Sequence, residues 1–200
     1  MVNVYDLDQQ QSSLDAKIFI ALENIFEAYK SLLWRTSEKL NLSPTQIRTV
    51  LFIKYHDIEM ATVGYLSKEF NVSKATMSDT VKTLIKKDLL YKVTDKNDAR
   101  RFRLHLTKKG EQLSYDLNDY AAPLARSVAK MDVTYKEVVF DGLMNVVEKL
   151  QKTEVTSKSR MCKNCAMFRY SDIRSFCMQY HKPMQKEELR MDCPDFKLAT

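Results

Sequence analysis

The stretch from Ser73 to Gly110, SKATMSDTVKTLIKKDLLYKVTDKNDARRFRLHLTKKG, limits the folds open to this chain more than any other. Ser73 offers an N-cap oxygen, and Val81, Leu84 and Ile85 follow on one face at helical spacing. Leu89, Tyr91 and Val93 then alternate with Leu90, Lys92 and Thr94, which is the period of a strand. Asp95-Lys96-Asn97-Asp98 has the composition of a tight turn. Phe102, Leu104 and Leu106 alternate with Arg101, Arg103 and His105, so a second strand is expected to pair back on the first. The product is a basic helix followed by a two-stranded hairpin. From Met60 to Gly110 there are 12 Lys+Arg against 5 Asp+Glu, about +7, while the whole chain carries +6. The surplus charge is concentrated where a polyanion would be held.

Around this stretch the pattern is helical. From Ser13, the residues Leu14, Ile18, Leu22, Ile25, Tyr29 and Leu32 recur at three and four, predicting a long amphipathic helix to about Leu40. Ser43 with Gln46 reads as a capping box, and Pro44 suits the first position of a second helix burying Ile47, Val50, Leu51 and Tyr55. Asp57 to Met60 reads as a short edge strand, and Thr62 to Phe70 as a short helix burying Val63, Leu66 and Phe70. Asn71-Val72 turns the chain into the Ser73 helix. After the hairpin, Thr107 caps a helix expected to reach about Lys130 with a kink at Pro123. Thr134 and Glu137 read as another capping box, opening a last helix through Val138, Val139, Leu143, Val146, Val147 and Leu150. No apolar run is long enough to span a bilayer, and MVNVYDLDQQQ lacks the basic start and apolar middle of a secretory signal. A cytoplasmic location is expected.

A short helix, a tight turn and a second helix with a basic flank form a helix-turn-helix arrangement, and the hairpin supplies a wing. The expected fold class is mainly α with a small β-wing: a winged helix-turn-helix with long dimerisation helices. The first helix and the two after the wing leave apolar surface for a two-fold dimer; the plainer alternative is that they close a monomer core. Residues 1–152 are expected to form this domain, with 42–110 as its winged core. Residues 153–160 then read as a linker and 161–200 as a separate small module.

Asp98-x-Arg100 followed by Leu106-Thr107-x-x-Gly110 matches the pattern D-x-R-x5-L-T-x-x-G of the MarR-type regulators, the multiple-antibiotic-resistance repressor family. Leu42-Ser43-x-x-Gln46 matches that family's opening of the second helix, and Ser73, Thr76 and Ser78 through Leu84 match its recognition helix. From about Leu14 to Leu150 the chain resembles this family. The resemblance implies a homodimer that binds palindromic operators in double-stranded DNA, often as a repressor, and that takes a small aromatic or phenolic effector. It also implies roles for single residues. Arg100 would enter the minor groove at the wing tip, with Asp98 holding its guanidinium. A narrow minor groove concentrates negative potential, and Arg tolerates desolvation better than Lys. Ser73, Lys74, Thr76, Ser78 and Lys82 would face the major groove or its phosphates. Arg101 and Arg103 join them from the wing strand. The alternative for these two is a solvated face that guards an edge strand, and for Arg100 an ion pair with Asp95 or Asp98.

Two positions depart from the family pattern. Asp79 stands where many relatives carry a base-reading Arg; it can accept from a cytosine amino group but repels phosphate. Asp88 replaces the usual Gly after the recognition helix and tolerates a left-handed backbone less well.

All four cysteines fall in the tail: Cys162-x2-Cys165, then Cys177 and Cys193. The segment is too short for its own apolar core, and a metal would supply the missing folding energy. Four thiolates suit tetrahedral Zn(II), with Phe168 and Phe196 each three residues after a cysteine as shielding rings. A [4Fe-4S] cluster, which would make the tail a redox sensor, is the alternative cofactor; disulfides or free thiols are the remaining ones. His181 can replace a sulfur, though a His-Lys-Pro turn accounts for it as well. From Lys158 to Thr200 there are 9 Lys+Arg and 5 Asp+Glu, so the module itself is basic. No phosphate loop, zinc-protease helix or nucleophile elbow is present, and an enzyme is not expected.

Overall fold

The computed structural model describes residues 3–94, 102–156, 159–170 and 174–199. The chain divides into two units, Met1–Lys130 and Met131–Thr200. In the first, Asp6 caps a short helix α1 (Leu7–Ser12), which the sequence pattern did not suggest. Ser13 caps α2 (Leu14–Leu40), whose bounds follow the predicted apolar stripe. The helix stops where Asn41 takes a left-handed φ of 50° and Leu42 N–H donates back to the Ser37 carbonyl. The Ser43–Gln46 capping box forms in both directions and opens α3 (Pro44–Tyr55). Thr62 caps α4 (Val63–Glu69), Asn71 turns the chain with φ 51°, and Ser73 caps α5 (Lys74–Lys86). Strands β1 (Leu90–Thr94) and β2 (Phe102–Leu106) pair antiparallel, Leu90 opposite Leu106. Helices α6 (Lys108–Asp116) and α7 (Ala122–Ala129) end the unit.

The core sits where α3, α4, α5 and the hairpin meet. Ile47, Val50, Leu66, Met77, Leu84 and Leu104 have essentially no exposed surface. Each is worth roughly 1.5–3 kcal/mol, so α4 and α5 are held at a fixed angle by burial and not by their short lengths. Leu104 N–H donates to the Ala61 carbonyl at 2.9 Å and ties the hairpin to the chain just before α4. Tyr29 of α2 and Tyr120 share a hydrogen bond at 2.8 Å.

Three local expectations change here. The Asp57–Met60 segment is a 3-10 turn over Ile58–Met60 and not a strand, because the Asp57 carboxylate accepts Glu59 N–H at 2.8 Å and closes the turn. The long helix after the hairpin is two helices. Pro123 lies in the first turn of α7, where a missing N–H costs nothing, so it starts a helix instead of kinking one. In β1 it is Leu90 that goes inward. Tyr91 and Val93 are exposed, and Tyr91 stacks on His105 across the ladder at 5.3 Å.

The junction between α5 and the wing is a clamp. Asp88 adopts a left-handed φ of 58°, and Leu89 N–H returns to the Leu84 carbonyl at 2.9 Å. Thr107 donates from its hydroxyl to Asp88 O at 2.6 Å and from its N–H to Leu89 O at 3.1 Å. The same hydroxyl accepts Gly110 N–H at 3.0 Å. Gly110 then passes so close that a Cβ there would stand 2.1 Å from Leu89 O. The Thr-x-x-Gly spacing is a requirement of this close approach.

In the second unit, Asp132 caps α8 (Val133–Lys152) by accepting Thr134 N–H at 2.9 Å, in place of the expected Thr134–Glu137 box. The tail folds into a three-stranded antiparallel sheet of β3 (Phe168–Tyr170), β4 (Ser175–Cys177) and β5 (Lys182–Met184), in that order. Arg160, expected in the linker, is already part of it: its guanidinium pairs with Asp192 at 2.7 Å and its carbonyl accepts Cys193 N–H at 2.9 Å. Among the described residues, no helix is long and apolar enough to cross a membrane.

Candidate nucleic-acid interface

Helix α5 divides its side chains cleanly. Met77, Thr80, Val81 and Leu84 are buried, with the Thr80 hydroxyl satisfied by the Thr76 carbonyl at 2.9 Å. Ser73, Lys74, Ala75, Thr76, Asp79, Lys82 and Lys86 are exposed, and Ser78 is half-buried at the edge of this face. The outward face is therefore short, polar and mostly basic, on a helix whose other side is locked into the core. Ser73 Oγ caps the helix through Thr76 N–H at 3.0 Å and also meets Thr76 Oγ1 at 2.8 Å. Both hydroxyls are accessible at the helix start. Asp79 pairs with Lys82 at 3.0 Å, and both side chains remain more than two-thirds exposed. Such a pair is worth at most about 1 kcal/mol and exchanges readily for another partner.

Lys86 was not among the expected contacts, although its position four residues after Lys82 places it on the same face. Other cations of the basic stretch are engaged within the fold. Lys87 donates to the Asn41 carbonyl, and Lys109 donates to the Lys87 carbonyl at 2.9 Å. Arg103 pairs with Glu59 at 2.6 Å and braces β2 against the 3-10 turn. Lys92 lies 4.3 Å over the Phe102 ring. The charge concentrated in the sequence thus has two uses, one bracing the wing and one facing outward from α5. Asp98, Arg100 and Arg101, the expected wing-tip residues, lie outside the described residues.

The four tail cysteines are all free thiols; Cys162, Cys177 and Cys193 are buried and Cys165 is half-buried. Cys162 and Cys165 flank a 3-10 turn, with Cys165 N–H donating to Cys162 O at 3.0 Å. Cys162 N–H donates to Arg190 O at 3.0 Å, and Arg190 N–H donates to Cys162 Sγ at 3.2 Å. Cys177 stands opposite Phe168 in the β3–β4 ladder. Burial pushes the Cys162 thiol up from its ordinary value; the Arg190 N–H opposes this, and the neighbouring Cys193, Cys177 and Cys165 thiols add to it. Phe168 and Phe196 are half-buried, and His181 is exposed in a turn with φ 50°. Among the described residues, no group of three or more His, Cys, Asp or Glu side chains is arranged so as to hold a metal ion.

The model of the MarR family matches residues 40–101, which run from the end of α2 through the whole helix-turn-helix and into the wing. The HTH-type transcriptional regulator BilQ of Clostridioides difficile (strain CD3) is 33% identical over 76 residues, 37% of this chain and 51% of that protein. The chain thus spans about half the length of this curated relative. In fold, the S. aureus MepR–DNA complex gives a TM-score of 0.57 at 20% identity, over 66% of this chain and 96% of that one. A MarR transcriptional regulator from Methanosarcina mazei Go1 gives 0.55 at 18% identity, over 68% and 97%. The fold is that of the MarR winged helices, mostly helical with a small antiparallel sheet.

Proposed function

We propose that this chain, whose residues 40–101 match the MarR family, is a DNA-binding transcriptional regulator that acts as a homodimer on palindromic operators, as a repressor. The observation that carries the reading is the outward face of α5. Ser73, Lys74, Thr76, Asp79 and Lys82 are exposed together on a helix fixed by its buried side, as a major-groove reader requires. The solved MepR–DNA complex of similar fold supports it. Exposed apolar residues support the dimer: Leu14, Ile18, Phe19, Ile25 and Phe26 on α2, and Val138, Val139, Leu143 and Val146 on α8. A small-molecule effector belongs to the same reading as an expectation of the family. The four-cysteine tail enters as an added metal-holding module, with structural Zn(II) as the first assignment and a sensing [4Fe-4S] cluster as the second.

The salt dependence of duplex binding tests this reading. Fluorescence anisotropy on a duplex enriched from a random pool should give a steep fall of log K with log salt. Lys74→Ala and Lys86→Ala should each flatten the slope by about one. Equal affinity for duplex and single strand, with a slope unmoved by either change, would remove the duplex-reading role of α5.

A further inference from the structure

Within the second unit, α8 and the tail sheet border a cleft of about 900 Å³. That volume is in the range of small-molecule sites. Polar bridges cross it at two levels. At one, Lys163 pairs with Glu148 at 2.7 Å and the Asn164 amide donates to Gln151 Oε1 at 2.9 Å. At the other, Lys186 pairs with Asp141 at 2.8 Å and stands 3.8 Å from Glu137. Asp141 and Glu148 are seven residues apart, about 10 Å along the helix. The interval between the bridges has room for a fused two-ring system.

The walls of the cleft are aromatic. Phe140 comes from α8, and Phe168 and Tyr170 come from β3, two residues apart and so on one face of the strand. Phe140 and Phe168 are half-buried and Tyr170 is exposed, so each ring keeps surface that a planar ligand can cover. The polar groups divide into two sets. Asp141, Glu148, Lys163 and Lys186 are engaged in the bridges. Asn145 and Lys152 lie on the same stripe of α8 as Asp141 and Glu148, at spacings of four, three and four. Both line the cleft, and neither side chain has a hydrogen-bond or ion-pair partner among the described residues. The lining as a whole sets three lysines against two carboxylates, one positive charge in surplus. A cationic ligand would have to displace a lysine from Asp141 or Glu148. A purely apolar one would leave Asn145 and Lys152 unused. An anion beside Lys152 meets neither difficulty.

We propose that this cleft binds a flat aromatic compound carrying one anionic group. The ring lies among Phe140, Phe168 and Tyr170, its edge meets the Asn145 amide, and its anion rests on Lys152. The site belongs wholly to Met131–Thr200, outside residues 40–101 that match the MarR family, and goes beyond the reading of α5.

The test titrates the full chain with 2-naphthoate by isothermal calorimetry, with 2-naphthamide and AMP in parallel. About one 2-naphthoate should bind per chain, at least about tenfold tighter than the uncharged amide. Lys152→Gln should weaken 2-naphthoate about tenfold and leave 2-naphthamide unchanged. Asn145→Trp, which fills the interval between the bridges, should abolish binding of both. Asn145 and Lys152 are both exposed, so the variants should keep the wild-type urea midpoint. AMP competing with 2-naphthoate would support the site with a phosphate as its anion; 2-naphthoate binding without competition from AMP would support it with a carboxylate. Saturable binding of neither anion would overturn the proposal, as would equal affinity for acid and amide. Binding unmoved by both substitutions would place the ligand elsewhere and overturn it too. Duplex binding by α5 is read separately, and none of these outcomes bears on it.

Discussion

Gly110→Ala is the sharpest single perturbation of the wing clamp. The added Cβ would meet Leu89 O at 2.1 Å, Leu89 C at 3.1 Å and the Leu106 side chain at 3.2 Å. The first contact is roughly 1 Å shorter than any real Cβ contact, and its partner is backbone, which no rotamer change can move aside. Relief requires α6 to retreat from the end of α5. That retreat stretches the Thr107 N–H bond to Leu89 O and the Thr107 hydroxyl bond to Asp88 O. Overpacking costs about 1–3 kcal/mol, and two weakened hydrogen bonds add about 1–2 kcal/mol. Against this stands a helix-propensity gain of about 1 kcal/mol for Gly→Ala. The strain wins, and a net loss of about 2 kcal/mol is expected. Gly64→Ala is the matched control in the same unit, because nothing lies within 4 Å of a Cβ there. It should be neutral or stabilise by up to about 1 kcal/mol. Urea unfolding of both variants reads the difference. Gly110→Ala with a midpoint equal to that of Gly64→Ala would refute the close approach.

Three further outcomes follow from the same geometry. Asp88→Gly relieves a left-handed φ of 58° on a residue with a Cβ and should raise stability by about 0.5–1 kcal/mol in urea unfolding; a loss would mean that the Asp88 side chain supports the turn. Asp79→Ala removes the anion beside Lys82 on the outer face of α5, so binding to non-specific duplex should tighten severalfold at low salt in an anisotropy titration; weaker binding would place Asp79 among favourable contacts. Thr107→Ala deletes the cap on Gly110 N–H and the bond to Asp88 O together, and should cost about 1–2 kcal/mol by the same unfolding assay.

The helix-turn-helix was legible because its signals are local. Ser43 with Gln46, Ser73 and Thr107 all cap the helices that their positions predict, and the capping bonds form at those residues. Where competing local signals overlap, the sequence misleads. Asp132 and Thr134 are both good caps two residues apart, and it is Asp132 that caps α8. Pro123 suits a kink and a helix start equally, and it falls in the first turn of α7. In β1 only Leu90 is buried, a tertiary outcome that alternation alone does not contain. At the candidate interface, the outward residues of α5 follow from helical period. The internal use of Lys87, Arg103 and Lys109 does not, since charge counts carry no direction. The tail was legible only through its cysteines, because three-residue strands have too little pattern to read.

The central claim is that α5 reads duplex DNA in a two-fold arrangement. Its most direct test is selection of binding sites from a random duplex pool by the full chain, followed by dimethyl sulfate footprinting of guanine N7 in the enriched sequence. The expected result is an inverted repeat whose half-sites lie one helical turn, about 10 base pairs, apart, each protected in the major groove. Protection should be lost when Ser73 and Thr76 are both replaced by Ala. A pool with no enriched sequence, or an enriched one protected equally by that double variant, would contradict it.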